Sequence, residues 1–347
     1  MRIDSLEVIP YALPFKEPYV TARGRLERRE LALVRMRSGQ LEGLGEVTPL
    51  ALRGGATLAE AVRDVERCSM VGAELTGRPS EPLERCAGAC PQARLAVELA
   101  HWDLLAKRDG VQLCELFEAT PAAVECNATL VAGSPAAVAR TAREWHARGF
   151  RTFKLKVGID GDVEQVRAVR AALPEDVRIR VDANAMWSVE QAAEKLGRMG
   201  PIELAEQPVA SLDDMGRLRA LVATPLAADE SVVTVEDARA AASVCDAATV
   251  KLAKVGSVRT VFEIARELPV YLSSALDGPV GIAAAAHVAQ ALPAEMAHGL
   301  ATSLLFADTI ASRECTVAGG YLHLTGGPGL GVEIDEAALQ RNRIALR

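Results

Sequence analysis

The sequence contains no basic block, no CxxC pair, no HExxH pair, and no apolar stretch approaching the roughly 20 residues a spanning helix needs. Each absence removes a class of function. Lysine and arginine total 39 against 46 acidic residues, a net charge of −7, so the electrostatic footprint of a nucleic-acid binder is missing and a small-molecule partner is expected. The seven cysteines (Cys68, Cys86, Cys90, Cys114, Cys126, Cys245, Cys315) are scattered, lack zinc-site spacing, and are expected to be reduced core thiols. Cys86 and Cys90 would share a face if their segment were helical. Of the five histidines, His101 and His146 read as helix residues and His287 and His323 join no metal pair. His298, at the end of the last expected strand, is a candidate for substrate contact. The start, Met1-Arg2-Ile3-Asp4-Ser5, shows no long apolar core with a cleavage site, which predicts a cytoplasmic protein with no membrane partner.

What is present is a chain of 347 residues, half of them hydrophobic, long enough for one large domain and a smaller one. Ile3 to Leu13 and Leu31 to Met36 read as antiparallel strands bounded by Pro14, Pro18, Gly24 and Gly39. Tyr19 to Arg29 reads as a polar loop between them. Helical spacing follows in Thr57 to Val71 and in Gln92 to Arg108, where Leu95, Leu99, Trp102 and Leu105 recur at three- and four-residue intervals.

From about Cys126 short apolar strands alternate with amphipathic stretches. The strand candidates are Asn127 to Val131, Thr152 to Val157, Val177 to Val181, Ile202 to Ala205, Leu226 to Ala228, Ala247 to Leu252, Val270 to Leu272 and Glu295 to His298. Ser188 to Met199 and Val235 to Ser243 are among the expected helices. Such alternation implies parallel pairing, because parallel neighbours need crossover connections, and it suggests an α/β fold closed into a barrel. The glycine-rich tail around Gly319 and Gly326 to Gly331 is followed by no βαβ unit; it reads as turns beside strands returning to the first domain rather than as a dinucleotide fingerprint.

Lys156, Asp182, Glu206, Asp229 and Lys251 stand at or just after the ends of successive expected strands, at intervals of 26, 24, 23 and 22 residues. A polar residue recurring at the length of one βα unit occupies the same end of neighbouring staves, and barrel active sites lie at the carboxyl end. Three adjacent carboxylates repel one another unless a cation neutralises them. Oxygen ligands favour a hard ion, magnesium first, and Asn184 stands close enough to orient a ligand. Helix capping explains any one of these acids, but three in phase between two in-phase lysines favour the site. Lys154 and Lys156 project to one face of their strand, where each is expected to lower the pKa of the other so that one serves as a base.

These residues resemble the enolase superfamily, in the branch of muconate-cycloisomerase-like enzymes. The matching segments are Lys154-Leu155-Lys156-Val157-Gly158, Val181-Asp182-Ala183-Asn184, Ala205-Glu206-Gln207-Pro208, Ala228-Asp229-Glu230-Ser231 and Val250-Lys251-Leu252-Ala253-Lys254-Val255-Gly256. Gly43-Leu44-Gly45-Glu46 and Ala96 to Asp103 resemble its amino-terminal signatures, and Pro328-Gly329-Leu330-Gly331-Val332 its returning tail. The resemblance implies a modified (β/α)7β TIM-type barrel at 123–312, an α+β capping domain at 1–122 and a returning segment at 313–347. It also implies Mg2+ or Mn2+ on Asp182, Glu206 and Asp229, an enediolate formed from a carboxylate substrate, Lys156 as base, Lys251 opposite, Lys154 beside them, and in some members a homo-oligomer. Leu272-Ser273-Ser274-Ala275-Leu276-Asp277-Gly278-Pro279-Val280-Gly281 is similar to the corresponding segment of o-succinylbenzoate synthases, which makes Ser273, Ser274 and Asp277 substrate candidates. Arg23 and Arg25 are candidates to meet a substrate carboxylate. Acylamino-acid racemase and muconate-type cycloisomerase chemistry remain alternatives within the branch. A Schiff-base aldolase or a non-catalytic barrel would need neither the three acids nor all five residues together.

Overall fold

The structure is a computed structural model that describes residues 1–21, 24–49, 51, 54–77, 80–293 and 295–346. Its first sheet has the order β1 (Ser5–Thr21), β2 (Gly24–Ser38), β3 (Leu41–Val47), all antiparallel. β1 runs through Pro14 and Pro18, where the sequence suggested a stop. It is an edge strand, so a missing proline N–H forfeits no ladder bond, and a register irregularity between Pro14 and Tyr19 absorbs the rest. Tyr19–Thr21 and Gly24–Arg29 are therefore paired ribbon rather than an open loop.

Helix α1 (Leu58–Arg67) starts at a capping box in which Thr57 and Glu60 satisfy each other's backbone N–H. Short α2 (Glu81–Arg85) follows, and Cys68 and Cys86 form a disulfide between the ends of these two helices. The expectation that all seven cysteines are reduced is thus corrected for this pair, which the chain fold brings together across 18 residues. Cys86 ends α2 and Cys90 precedes the next helix, so the two share no helical face. Cys126, Cys245 and Cys315 are buried free thiols, pushed by burial to about 12.

Helix α3 (Pro91–Asp109) packs directly on β3. A Cβ on Gly43 would lie 2.0 Å from the Ala100 carbonyl oxygen, and one on Gly45 would lie 1.9 Å from that of Ala96. These two glycines permit a backbone-to-backbone approach that any side chain would block.

The barrel begins after β4 (Val124–Glu125). Its staves are β5 (Asn127–Leu130), β6 (Thr152–Lys156), β7 (Arg178–Asp182), β8 (Leu204–Glu206), β9 (Leu226–Ala228), β10 (Ala247–Val250) and β11 (Val270–Leu272), parallel and in sequence order. The eighth stave is reduced to two parallel bridges, Cys126 with His298 and Ser273 with Gly299, which join β11 to the β5 side and close the ring. The intervening helices are α4 (Pro135–Ala147), α5 (Asp162–Ala172), α6 (Val189–Met199), α7 (Leu212–Arg219), α8 (Val235–Ala241), α9 (Leu252–Val255), α10 (Val258–Ala265) and α11 (Pro279–Gln290). Ser188 and Thr234 cap α6 and α8.

The tail returns in part. Asp103 on α3 accepts the N–H of Leu44 at 2.8 Å and of Leu330 at 2.7 Å, and Gly329 bridges Gln112. The rest of the tail differs: β13 (Thr316–Ala318) and β14 (Tyr321–His323) add to β4, while β12 (Ala311–Arg313) pairs with β15 (Glu333–Ile334) ahead of α12 (Glu336–Asn342). Among the described residues no helix is long and apolar enough to cross a membrane.

Candidate active site

Alternate residues of each stave face the barrel interior, so Lys154 and Lys156 on β6 stand beside Arg180 and Asp182 on β7. Lys156 pairs in register with Asp182, and Asp182 with Glu206. Glu206 faces Ala227, which places Asp229 two residues further on. Ala227 faces Ala247, which places Lys251 two residues beyond the level of Asp229. Such steps are what a sheared barrel requires to hold inward side chains at one height around its ring.

Asp182, Glu206 and Asp229 are buried, and each is turned onto lysine. Lys154 Nζ donates to both Glu206 oxygens at 2.6 Å and lies 2.9 Å from Asp182 Oδ2. Lys156 donates to Asp182 Oδ2 at 2.5 Å and to Asn184 Oδ1 at 3.0 Å. Lys251 donates to Asp229 Oδ1. The three acids and three lysines thus form one row, with Lys154 between Asp182 and Glu206, Lys156 beyond Asp182 and Lys251 beyond Asp229.

Burial works against every charge here, and the partners decide the outcome. Lys154 is pushed down by desolvation, yet Asp182 and Glu206 outweigh it and hold the ammonium well above its usual range. The expected mutual lowering within the lysine pair is therefore overridden at Lys154 by the carboxylates between which it sits. Asp182 is raised by burial but held well below the carboxylate range by Lys154 and Lys156. Glu206 is raised, first by burial and then by Asp182. Asp229 is lowered because Lys251 and Lys154 outweigh its desolvation.

The loops after β7 and β8 carry left-handed backbone at non-glycine positions: Asn184 (φ 47°), Ala185 (φ 63°) and Gln207 (φ 36°). Strain of this kind persists where surrounding contacts fix it. Asn184 N–H donates to Asp182 Oδ1 at 3.0 Å, and its side chain also reaches Glu230. Gln207 Oε1 accepts the N–H groups of Asp229 (2.9 Å) and Ser231 (3.2 Å). Gln207 thereby fixes the backbone that presents Asp229, a role the sequence reading missed although the residue lies in its quoted Glu206-Gln207-Pro208 run.

Other candidates fare differently. Arg25 is exposed and paired with Glu27, and Arg23 lies outside the described residues. Ser274 and Asp277 are engaged in their own loop: Ser274 Oγ accepts Asp277 N–H at 2.9 Å, and Asp277 Oδ2 accepts Ala275 N–H at 3.0 Å. Ser273 and Asp277 line a small cavity with Glu46 and Thr48 of the cap. His298, a candidate for substrate contact, accepts Leu272 N–H through Nδ1 at 2.9 Å, and burial pushes it down to about 3, so it is a neutral closure of the barrel wall.

Among the described residues no three Asp, Glu, His or Cys side chains converge at metal-ligand spacing. The chemistry of the donor set nonetheless fits a hard divalent ion: three buried carboxylates, oxygen only, each here paired with a lysine side chain.

A closed parallel barrel with ionisable residues at the carboxyl ends of its staves, under a cap that contacts the loops after β10 and β11, defines a barrel of the enzyme-bearing kind. The chain belongs to the enolase superfamily: residues 5–117 match the mandelate racemase / muconate lactonizing enzyme amino-terminal domain, and residues 137–338 match the enolase C-terminal domain-like family. Members of this superfamily generally use Mg2+. The o-succinylbenzoate synthase of Mycobacterium ulcerans (strain Agy99) is 41% identical over 209 residues, 56% of this chain and 62% of that protein. The chain thus spans about three fifths of the length of that curated relative. The L-Ala-D/L-Glu epimerase of Bacillus subtilis (strain 168) is 28% identical over 96% of this chain and 97% of its own. The muconate lactonizing enzyme of Pseudomonas fluorescens, solved with muconolactone, superimposes with a TM-score of 0.91 at 28% identity, covering 99% of each chain.

Proposed function

We propose that this chain is a hydro-lyase with o-succinylbenzoate synthase activity, converting succinyl hydroxycyclohexadiene carboxylate to o-succinylbenzoate, a step toward menaquinone. The observation that carries the proposal is the row of three buried carboxylates with Lys156 at one end and Lys251 at the other. Relatives bearing that name at 39–41% identity support it, as does the Leu272 to Gly281 segment.

Asp182, Glu206 and Asp229 would hold Mg2+ or Mn2+. When bound, the ion supplies positive charge to a substrate carboxylate and makes the adjacent carbon acidic. Lys156, bonded to Asp182 and Asn184, is placed to take that proton and return it to the departing hydroxyl. Lys251 opposes the negative charge that develops. Lys154 orients Asp182 and Glu206. Loss of water aromatises the ring and draws the reaction forward.

A second reading, racemisation of an N-acylamino acid, is favoured by the second lysine: Lys156 and Lys251 at opposite ends of the row suit proton removal on one face and return on the other. Dipeptide epimerisation is less well supported, because the last stave, Ala297-His298-Gly299, carries no acid to hold a substrate amino group.

The test is turnover of the cyclohexadiene carboxylate with Mg2+ and with EDTA, alongside Lys156→Ala. Metal-dependent aromatisation reduced by about 1000-fold or more in the variant is expected. Folded, metal-binding protein that leaves this compound unchanged would refute the substrate and send the assay to N-succinylamino acids.

A further inference from the structure

Tyr271 lies on β11 two residues before Ser273 and so faces the barrel interior, where it is fully buried. Its hydroxyl donates to Glu206 Oε2 at 2.7 Å. Glu206 Oε2 therefore receives both Tyr271 and Lys154, whereas Oε1 receives Lys154 alone.

The ring is itself held. Arg180, the largest fully buried side chain among the described residues, stacks its guanidinium 4.6 Å from the Tyr271 centroid. Arg180 Nε donates to Glu203 Oε2 at 2.6 Å and Nη1 to the Ala297 carbonyl at 2.7 Å, so it arrives at the ring already fixed from the barrel floor. Room for the ring comes from Ala227 and Ala247, the small inward residues of β9 and β10, which form with Leu204 and Tyr271 a cluster separate from the main core. A guanidinium in a barrel interior is no better for stability than a well-packed apolar side chain of similar volume. The arrangement makes sense as orientation of the carboxylate above it.

We propose that Tyr271, braced by Arg180, is a positioning residue for Glu206: it pins Oε2 and so sets how the carboxylate presents itself to a divalent ion. This rests on the assignment of Glu206 as a metal-holding residue. Partners that orient a ligating carboxylate typically change metal affinity by about 10- to 100-fold when removed.

Tyr271→Phe deletes one oxygen and keeps the ring, and Mn2+ serves as the probe, titrated by electron paramagnetic resonance without substrate. The expected result is Mn2+ affinity weakened by about 10-fold or more, with a changed spectrum of the bound ion and a denaturation midpoint in EDTA close to the parent's. Arg180→Met is expected to weaken Mn2+ binding in the same direction, and its folding is checked in EDTA. A Tyr271→Phe protein that binds Mn2+ within twofold of the parent, or that loses stability in EDTA with no change in affinity, overturns the proposal and leaves the proposed function standing. A parent protein that binds no Mn2+ overturns both.

Discussion

Glu46, at the end of β3, accepts the backbone N–H of Gly278 at 2.7 Å, so a side chain of the cap satisfies the first turn of a barrel helix. It also accepts Gly281 N–H at 3.1 Å and the Tyr11 hydroxyl at 2.5 Å. Glu98 on α3 does the same for α10, accepting Val258 N–H at 3.0 Å and the Ser257 hydroxyl at 3.3 Å. Arg29 adds a third tie, donating to the Leu276 carbonyl at 3.2 Å and to that of Ala275 at 3.3 Å. The loops after β10 and β11, which flank Lys251, are thus shaped by the cap as much as by the barrel.

Burial raises Glu46 to about 7, with Asp277 adding to the shift while Tyr11 opposes it. The folded state therefore holds more protons than the unfolded chain between the ordinary glutamate value and about 7, and stability from this group falls as pH rises through that window. His101, His287 and His298, buried and lowered to about 4, 4 and 3, act in the opposite sense as pH falls, so the parent profile alone is not diagnostic. The stability difference between the parent and Glu46→Gln isolates the term. It should shift in favour of the glutamine variant by up to about 3 kcal/mol between about pH 5 and about pH 8; a difference independent of pH would contradict the assignment.

Asp182 is shared by Lys154 and Lys156, so Asp182→Asn removes the partner of two ammonium groups at once. Urea denaturation in EDTA should show a loss of about 3 kcal/mol at neutral pH. Because the Asp182 pKa is depressed in the fold, that loss should shrink as the pH falls through the ordinary aspartate range. An undiminished loss at low pH would mean that packing, not charge, holds this residue.

Binding of a divalent ion to the folded state alone stabilises by mass action, about 2.7 kcal/mol at a hundredfold excess over Kd. Mg2+ should therefore raise the melting temperature of the parent protein and leave that of Asp182→Asn unmoved. A rise of equal size in both would place the ion elsewhere.

Much of the barrel was legible because a stave buried on both faces leaves short apolar runs, and the expected ends of β5 to β11 fall within two residues of those observed. The eighth stave was less so, since closure needs only the backbone at His298 and Gly299 and leaves no strand-length pattern. The row of acids and lysines was visible as a period. Tyr271 and Arg180 were not, because an inward tyrosine or arginine looks in sequence like any strand residue. Counting back two from Ser273 and from Asp182 would have placed both on the inward face. The Cys68–Cys86 pair depends on how α1 and α2 meet, which no local spacing encodes.

Gly45 and Gly197 offer opposite outcomes for the same substitution. At Gly45 a Cβ would meet the Ala96 oxygen at 1.9 Å and its carbonyl carbon at 2.8 Å, atoms of a helix backbone that cannot rotate away. Gly45→Ala must push α3 off β3, and with it Glu98, whose contacts with Ser257 and Val258 support the segment after Lys251. A loss of about 3 kcal/mol is expected, together with reduced activity at a site the substitution does not touch. Gly197 sits on the exposed face of α6 with nothing within 4 Å of the added carbon. Gly197→Ala should instead stabilise by up to about 1 kcal/mol through the helix preference alone. Thermal and urea denaturation of the two variants decide the matter: similar small effects at both positions would show that α3 does not rest on β3 through these glycines, and the link from cap packing to the loop after Lys251 would fall with it.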